Sequence, residues 1–140
     1  MKFFAFRYDK NYDLKPSLLS MVDEKYDFKD KDKFIVYLKN NVNGLAGYMG
    51  EFTCLMDPDH IAYSESYNTD GVWVWTTQMI HYIECHHLVI PEDFRAHIEK
   101  NNFIMPVLTE EKLEAIVEKL PYLFTIGIHW TPPNGYDESL

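Results

Sequence analysis

The segment GVWVWTTQMIHYIECHH, residues 71–87, changes its periodicity in the middle. In GVWVW the two-residue period of an extended chain sends Trp73 and Trp75 to one side and the valines to the other. From Thr76 or Thr77, either of which can cap a helix, the apolar residues recur at helical spacing to the end of the segment. A strand followed at once by a helix restricts the chain to folds that combine a sheet with helices.

The rest of the chain divides into extended and helical patterns between turn signals. Strands are predicted at 2–8, 48–56, 60–67, 71–75 and 122–130. Helices are predicted at 15–26, 30–44, 76–87, 91–101 and 109–120. We expect the three middle strands to form an antiparallel meander. This order predicts an α+β fold, with a mostly antiparallel sheet and helices packed on one face, in a single domain that spans 1–140 and ends in a polar, flexible tail at 131–140.

The charge of the chain bears on its partners. Its 140 residues carry 22 acidic and 13 basic side chains, a formal net charge of −9. A nucleic acid prefers a basic surface, so this balance disfavours one as a partner. It favours a cationic partner, because complementary potentials speed encounter and select partners. Solubility alone is the alternative explanation.

The location of the protein is predicted from its cysteines and its apolar runs. Two cysteines, Cys54 and Cys85, are too few for a disulfide framework and suit a reducing compartment. Arg7 stops the apolar run near the start of the chain, which is too short for a signal peptide, and no run approaches membrane-spanning length. We therefore expect a cytoplasmic protein without membrane contacts; the oligomeric state is left open.

The histidine-rich end of segment 71–87 is a candidate metal or catalytic site. On a helix, His81 and Cys85 share a face and Glu84 lies close to it. Zinc needs three or four converging ligands. The missing ones would come from His60, His97 or His129, whose spacing gives no support. Neither Cys-x-x-Cys nor His-Glu-x-x-His occurs. We expect a structural helix with no metal, cofactor or catalytic group; a metal- or cysteine-dependent enzyme using His81 and Cys85 is the alternative.

The positions of the two tryptophans allow two interpretations. Large aromatic side chains on one strand face, such as Trp73 and Trp75, usually belong to a core. The alternative is an exposed aromatic pocket in a module that binds a small ligand.

A longer pattern surrounds these tryptophans in residues 69–94. It consists of Asp-Gly, Trp-x-Trp, a threonine cap, an aromatic residue within the helix and a Pro-Glu-x-Phe ending, formed by Asp70, Gly71, Trp73, Trp75, Thr76, Tyr82, Pro91, Glu92 and Phe94. This pattern, about a fifth of the chain, resembles small bacterial immunity proteins of polymorphic-toxin and contact-dependent growth inhibition systems. The resemblance implies a protein that is not an enzyme and that binds and neutralises a cognate toxin domain, often a cationic nuclease. Such proteins bind through variable surfaces, so no binding residue is carried over.

Two candidate partner surfaces follow from periodicity instead. In the strand at 60–67, Tyr63, Glu65 and Tyr67 share a face with Ile61, and tyrosines that flank an acid suit an interface with a basic protein. The alternative is that both tyrosines belong to the core.

The second candidate lies on the helix at 109–120. Its glutamates are spaced by four residues and so align opposite the apolar face: Glu110, Glu114 and Glu118. An ordinary solvated surface is the alternative. The acidic segment 23–32 is the remaining candidate if neither set binds the partner.

Overall fold

The computed structural model describes residues 2–4, 21–45, 51–57, 59, 61–125 and 136–137. The helices found there are α1 (Lys31–Lys39), α2 (Thr77–His86), α3 (Glu92–Lys100) and α4 (Glu110–Thr125). The strands are β1 (Lys2–Phe4), β2 (Glu51–Thr53), β3 (Ala62–Ser64), β4 (Tyr67–Thr69), β5 (Trp73–Thr76) and β6 (Tyr136–Asp137).

Strand β5 is an inner strand of the larger sheet, whose order is β4-β5-β1-β6. It pairs antiparallel with β4 and parallel with β1, where Phe4 lies opposite Trp75. Strands β2 and β3 form a separate antiparallel hairpin. Three of the four pairings between described strands are therefore antiparallel, which confirms the α+β class and the mostly antiparallel sheet.

The two faces of β5 carry different clusters of apolar side chains. Trp73 and Trp75 join the larger cluster with residues of α1, α2 and α3. Val74 points the other way and packs with Leu45, Tyr67 and Ile116 of α4. The prediction of helices on one face thus holds for α1 to α3. Helix α4 covers the opposite face of the sheet, because the apolar side chains of Val74 and Tyr67 on that face also have to be shielded from water.

Several predicted elements differ from those observed. The strand expected at 60–67 is divided between β3 and β4, which belong to different sheets, so the meander prediction is wrong. Residues 122–125 continue α4 and are not a strand, and 21–26 form turns and an isolated bridge in place of a helix. In the predicted tail, Tyr136–Asp137 pairs with β1, so the tail prediction does not hold at these two residues. The remaining parts of these segments lie outside the described residues.

Candidate functional site

The Asp-Gly turn between β4 and β5 is held by the buried carboxylate of Asp70. One oxygen accepts the backbone N–H groups of Val72 at 3.0 Å and Trp73 at 2.9 Å. The other accepts the Tyr37 hydroxyl at 2.6 Å and lies 2.8 Å from His97 Nε2. Four partners from the turn, α1 and α3 therefore meet on one side chain. These bonds give Asp70 a structural role inside the fold.

The tryptophans of β5 are core residues, as the first of the two readings predicts. Trp73 is stacked on Phe94 with ring centroids 4.4 Å apart. Trp75 stacks on Tyr37, and its Nε1 donates to the Leu38 carbonyl at 2.9 Å. Since both indoles are almost fully buried under the protein's own rings, the aromatic-pocket alternative is wrong for this face.

Glu65, in the first candidate partner set, lies in the interior. The residue is 8% exposed, and its Oε1 accepts the backbone N–H of Gln78 at 3.0 Å and that of Ser66 at 3.3 Å. Gln78 belongs to the first turn of α2, so Glu65 caps that helix beside Thr76, whose hydroxyl oxygen accepts from Met79. Burial raises the pKa of Glu65 to about 7, against the opposing effect of the backbone donors.

The tyrosines of that set do not form an exposed pair either. Tyr67 is 3% exposed, and half-buried Tyr63 is stacked on Phe52 and lies against His81. The alternative of core packing fits these tyrosines: Tyr67 belongs to the cluster on the Val74 face, and Tyr63 packs against the larger cluster. The prediction of Tyr63, Glu65 and Tyr67 as one exposed anchor set is therefore wrong.

The second candidate set is brought together at the surface. Glu110, Glu114 and Glu118 are all exposed and line one open groove of about 510 Å³. Gly44, Leu45, Leu113 and Val117 complete its lining. The glutamates therefore form an acidic rim around an apolar floor, and we call this surface the acidic groove.

The segment 23–32 borders another groove, of about 740 Å³. Lysines alternate with acids along it, and Lys25, Lys31 and Lys33 all line the groove. This surface thus presents mixed charge and is less selective for a cationic partner than the acidic groove.

The histidine-rich helix takes part in a cluster that the sequence did not indicate. Donor atoms of Cys54, His81 and His86 lie within 4.8 Å of one another. Cys54 Sγ is 3.2 Å from His86 Nε2. The buried Nε2 of His81 has no hydrogen-bond partner in the part of the chain that the structure describes. Cys54 follows β2, and the end of that hairpin lies against α2, which supplies both histidines.

The immediate surroundings of this Cys–His cluster are aromatic. The Tyr82 hydroxyl accepts the Leu55 N–H at 2.9 Å and hydrogen-bonds to the Cys54 side chain. The Tyr63 ring lies 4.4 Å from that of His81. Burial lowers the pKa of both histidines, so their rings are held in the neutral form at pH 7.

The residues first considered as ligands beside His81 lie elsewhere. Glu84 forms an ion pair with Lys39 at 2.8 Å, and His97 is bonded to Asp70. Cys85 is exposed, and partial burial of the thiol together with Glu84 raises its pKa, which disfavours a reactive thiolate. His60 and His129 lie outside the described residues. The cysteine enzyme using His81 and Cys85 is thus unsupported, and Cys54 is too buried for its thiol to meet a substrate.

Local spacing gave only a partial signal for this cluster. His81 and His86 enclose four residues, a spacing that occurs between the histidines of zinc sites, but no Cys-x-x-Cys accompanies them. Cys54 is brought to them only by the packing of a hairpin against a helix.

Among the described residues, no helix combines the length and the apolar composition needed to cross a membrane. Comparisons of the chain with protein-family models, with curated proteins and with solved structures give no match.

Proposed function

We propose that this protein is a cytoplasmic immunity protein that binds a cationic antibacterial toxin domain through the acidic groove and thereby neutralises it. The observation that carries the proposal is the meeting of Glu110, Glu114 and Glu118 around one apolar-floored groove. The likeness of residues 69–94 to immunity proteins supplies the class of partner.

The composition of the groove suits a basic protein. An apolar floor at Leu45, Leu113 and Val117 offers a place to bury an aliphatic or aromatic anchor of the toxin. The carboxylates around it would pair with lysine or arginine at the rim. The net charge of −9 would add long-range steering towards such a partner and repel nucleic acid.

Binding of this kind needs no catalytic group in the inhibitor. The groove presents carboxylates and aliphatic side chains, which can exclude a substrate from the toxin or hold the toxin inactive by contact alone. A toxin that acts on nucleic acid would itself carry a basic surface, which the acidic groove would cover.

The proposal requires a gene beside that of this chain that encodes a secreted protein with a C-terminal toxin domain, and the test uses that domain. Co-expression of the immunity protein should rescue cells from that domain and from no unrelated toxin. The purified proteins should form a complex at micromolar concentrations. Failure to form it would remove the proposal.

A charge reversal then locates the interface. Glu114→Lys should weaken the complex and flatten its dependence on salt, because a rim carboxylate is lost. Glu99→Lys is the matched control, since it makes the same change of charge at an exposed position of α3. Equal effects of both substitutions would mean that net charge, and not the acidic groove, governs binding.

A further inference from the structure

We propose that Cys54, His81 and His86 form a binding site for a transition-metal ion of the zinc type. The site is separate from the acidic groove and does not depend on the proposed function. It would join the β2–β3 hairpin to α2.

The geometry is close to that of a tetrahedral centre. With Zn–S near 2.3 Å and Zn–N near 2.1 Å, a sulfur and a nitrogen on one zinc ion are separated by about 3.6 Å, and two nitrogens by about 3.4 Å. Cys54 Sγ and His86 Nε2 are 3.2 Å apart, and all three donor atoms lie within 4.8 Å. Side-chain rotations that move the donors by about 1 Å are enough to bring them onto one ion.

The donor set has the right chemistry for such an ion. One thiolate and two imidazoles suit borderline and soft cations, whereas calcium and magnesium require oxygen ligands. Metal binding would release the thiol proton of Cys54 to solvent, leaving the thiolate as ligand.

One buried nitrogen points independently to a missing ligand. Buried polar atoms in folded proteins nearly always have a partner. His81 Nε2 has none among the described residues, although a nitrogen of the same ring lies near a thiol and a second imidazole. A metal ion in this cluster would give the His81 ring a partner that the described residues do not supply.

The surroundings would support the ligands. Tyr82 hydrogen-bonds to the Cys54 side chain and thus holds the sulfur, as groups around metal ligands commonly do. Three protein ligands leave a fourth position, which a water molecule would fill.

The experiment is a titration of the full-length, metal-stripped protein with Co²⁺ and with Zn²⁺. Co²⁺ should bind with a stoichiometry of one and give the thiolate charge-transfer and visible bands of a tetrahedral site, and Zn²⁺ should displace it. Either ion should raise the melting temperature, because it binds the folded chain. A wild-type protein that takes up neither ion at micromolar concentrations would overturn the proposal.

Two pairs of variants assign the ligands. Cys54→Ser should abolish the charge-transfer band, whereas Cys85→Ser, in the exposed cysteine, should keep it. His86→Gln should weaken Zn²⁺ binding by about a hundredfold or more, whereas His87→Gln should leave it unchanged. Since His86 is only half-buried at the end of α2, its variant separates loss of a ligand from loss of the fold, which circular dichroism verifies. Loss of the band in Cys85→Ser with retention in Cys54→Ser would show that the site is wrong.

Discussion

Carboxylates occupy two contrasting regions of this molecule. Asp70 and Glu65 lie in the interior, where each accepts hydrogen bonds that define how elements meet. Glu110, Glu114 and Glu118 project from α4 around an open groove and are exposed. The same chemical group thus builds the fold in one region and is available to a partner in the other.

The two interior carboxylates also differ from each other. Asp70 has a side-chain hydroxyl and an imidazole beside it as well as two backbone donors. Glu65 is met by backbone N–H groups, and burial raises its pKa to about 7. The backbone donors only partly offset the desolvation of Glu65, so burial favours its neutral form.

Removal of the Asp70 carboxylate should have the largest effect. Asp70→Ala leaves Tyr37, His97 and two backbone N–H groups without their acceptor, so we expect the free energy of unfolding to fall by about 3–5 kcal/mol. Asp93→Ala is the control, because both side chains of its ion pair with Lys2 are 38% exposed, so water screens the pair and it should contribute only about 1 kcal/mol. Equal losses in urea unfolding of the two variants would contradict the structural role of Asp70.

Glu65 should make stability depend on pH. Its folded-state pKa, about 7, lies above the ordinary value of 4.5, so the folded protein binds the extra proton between these pH values. Protonation of Glu65 therefore stabilises the folded protein fully below pH 4.5, and this stabilisation is lost as the pH rises through 7. The loss in the free energy of unfolding is about 3 kcal/mol at most.

Glu65→Gln isolates that contribution. The amide oxygen can still accept from Gln78 and Ser66, but the side chain no longer titrates. The variant should be more stable than the wild type at pH 8 and lack this part of the pH dependence. Buried histidines change stability with pH in the opposite direction over the same range. The measurement is therefore the difference between the free energies of unfolding of the wild type and the variant at each pH. Parallel profiles would show that Glu65 is ionised in the folded protein at all these pH values.

Removal of the Tyr37 hydroxyl measures the effect of one of the four groups that hydrogen-bond to Asp70. Tyr37→Phe keeps the ring on Trp75 and removes the 2.6 Å hydrogen bond to the carboxylate, so we expect a loss of about 2 kcal/mol. The loss should be smaller than that of Asp70→Ala, because three donors remain. Chemical denaturation of both variants gives the ranking, and a reversed order would mean that the hydroxyl has a further role.

How far the sequence predicts the molecule depends on the range of the interactions. Thr76 caps α2 as expected, and Thr109, the first residue of the helix predicted at 109–120, caps α4, because each cap and its helix lie within a few residues. Pairing of β1 with β5 joins distant parts of the chain, and no local pattern announces it. The burial of Glu65 has the same origin, since its carboxylate caps α2, whose first turn follows 13 residues later in the chain. The shared face of Glu110, Glu114 and Glu118 was predictable from their spacing by four on one helix, whereas the apolar floor beside them and the Cys54–His86 contact were not.

The smallest expected effect on stability concerns the exposed region. Glu114 lies four residues from both Glu110 and Glu118, and like charges at this spacing destabilise a helix. Glu114→Gln should therefore raise the free energy of unfolding by roughly 0.5 kcal/mol while weakening the toxin complex. In the control Glu99→Gln the neighbour four residues earlier is Arg95, so neutralisation should leave stability unchanged or slightly lower. If Glu114→Gln stabilises the protein and leaves toxin binding undiminished, the acidic groove is an ordinary solvated surface. A surface kept for a partner requires the substitution to stabilise the protein and weaken the complex.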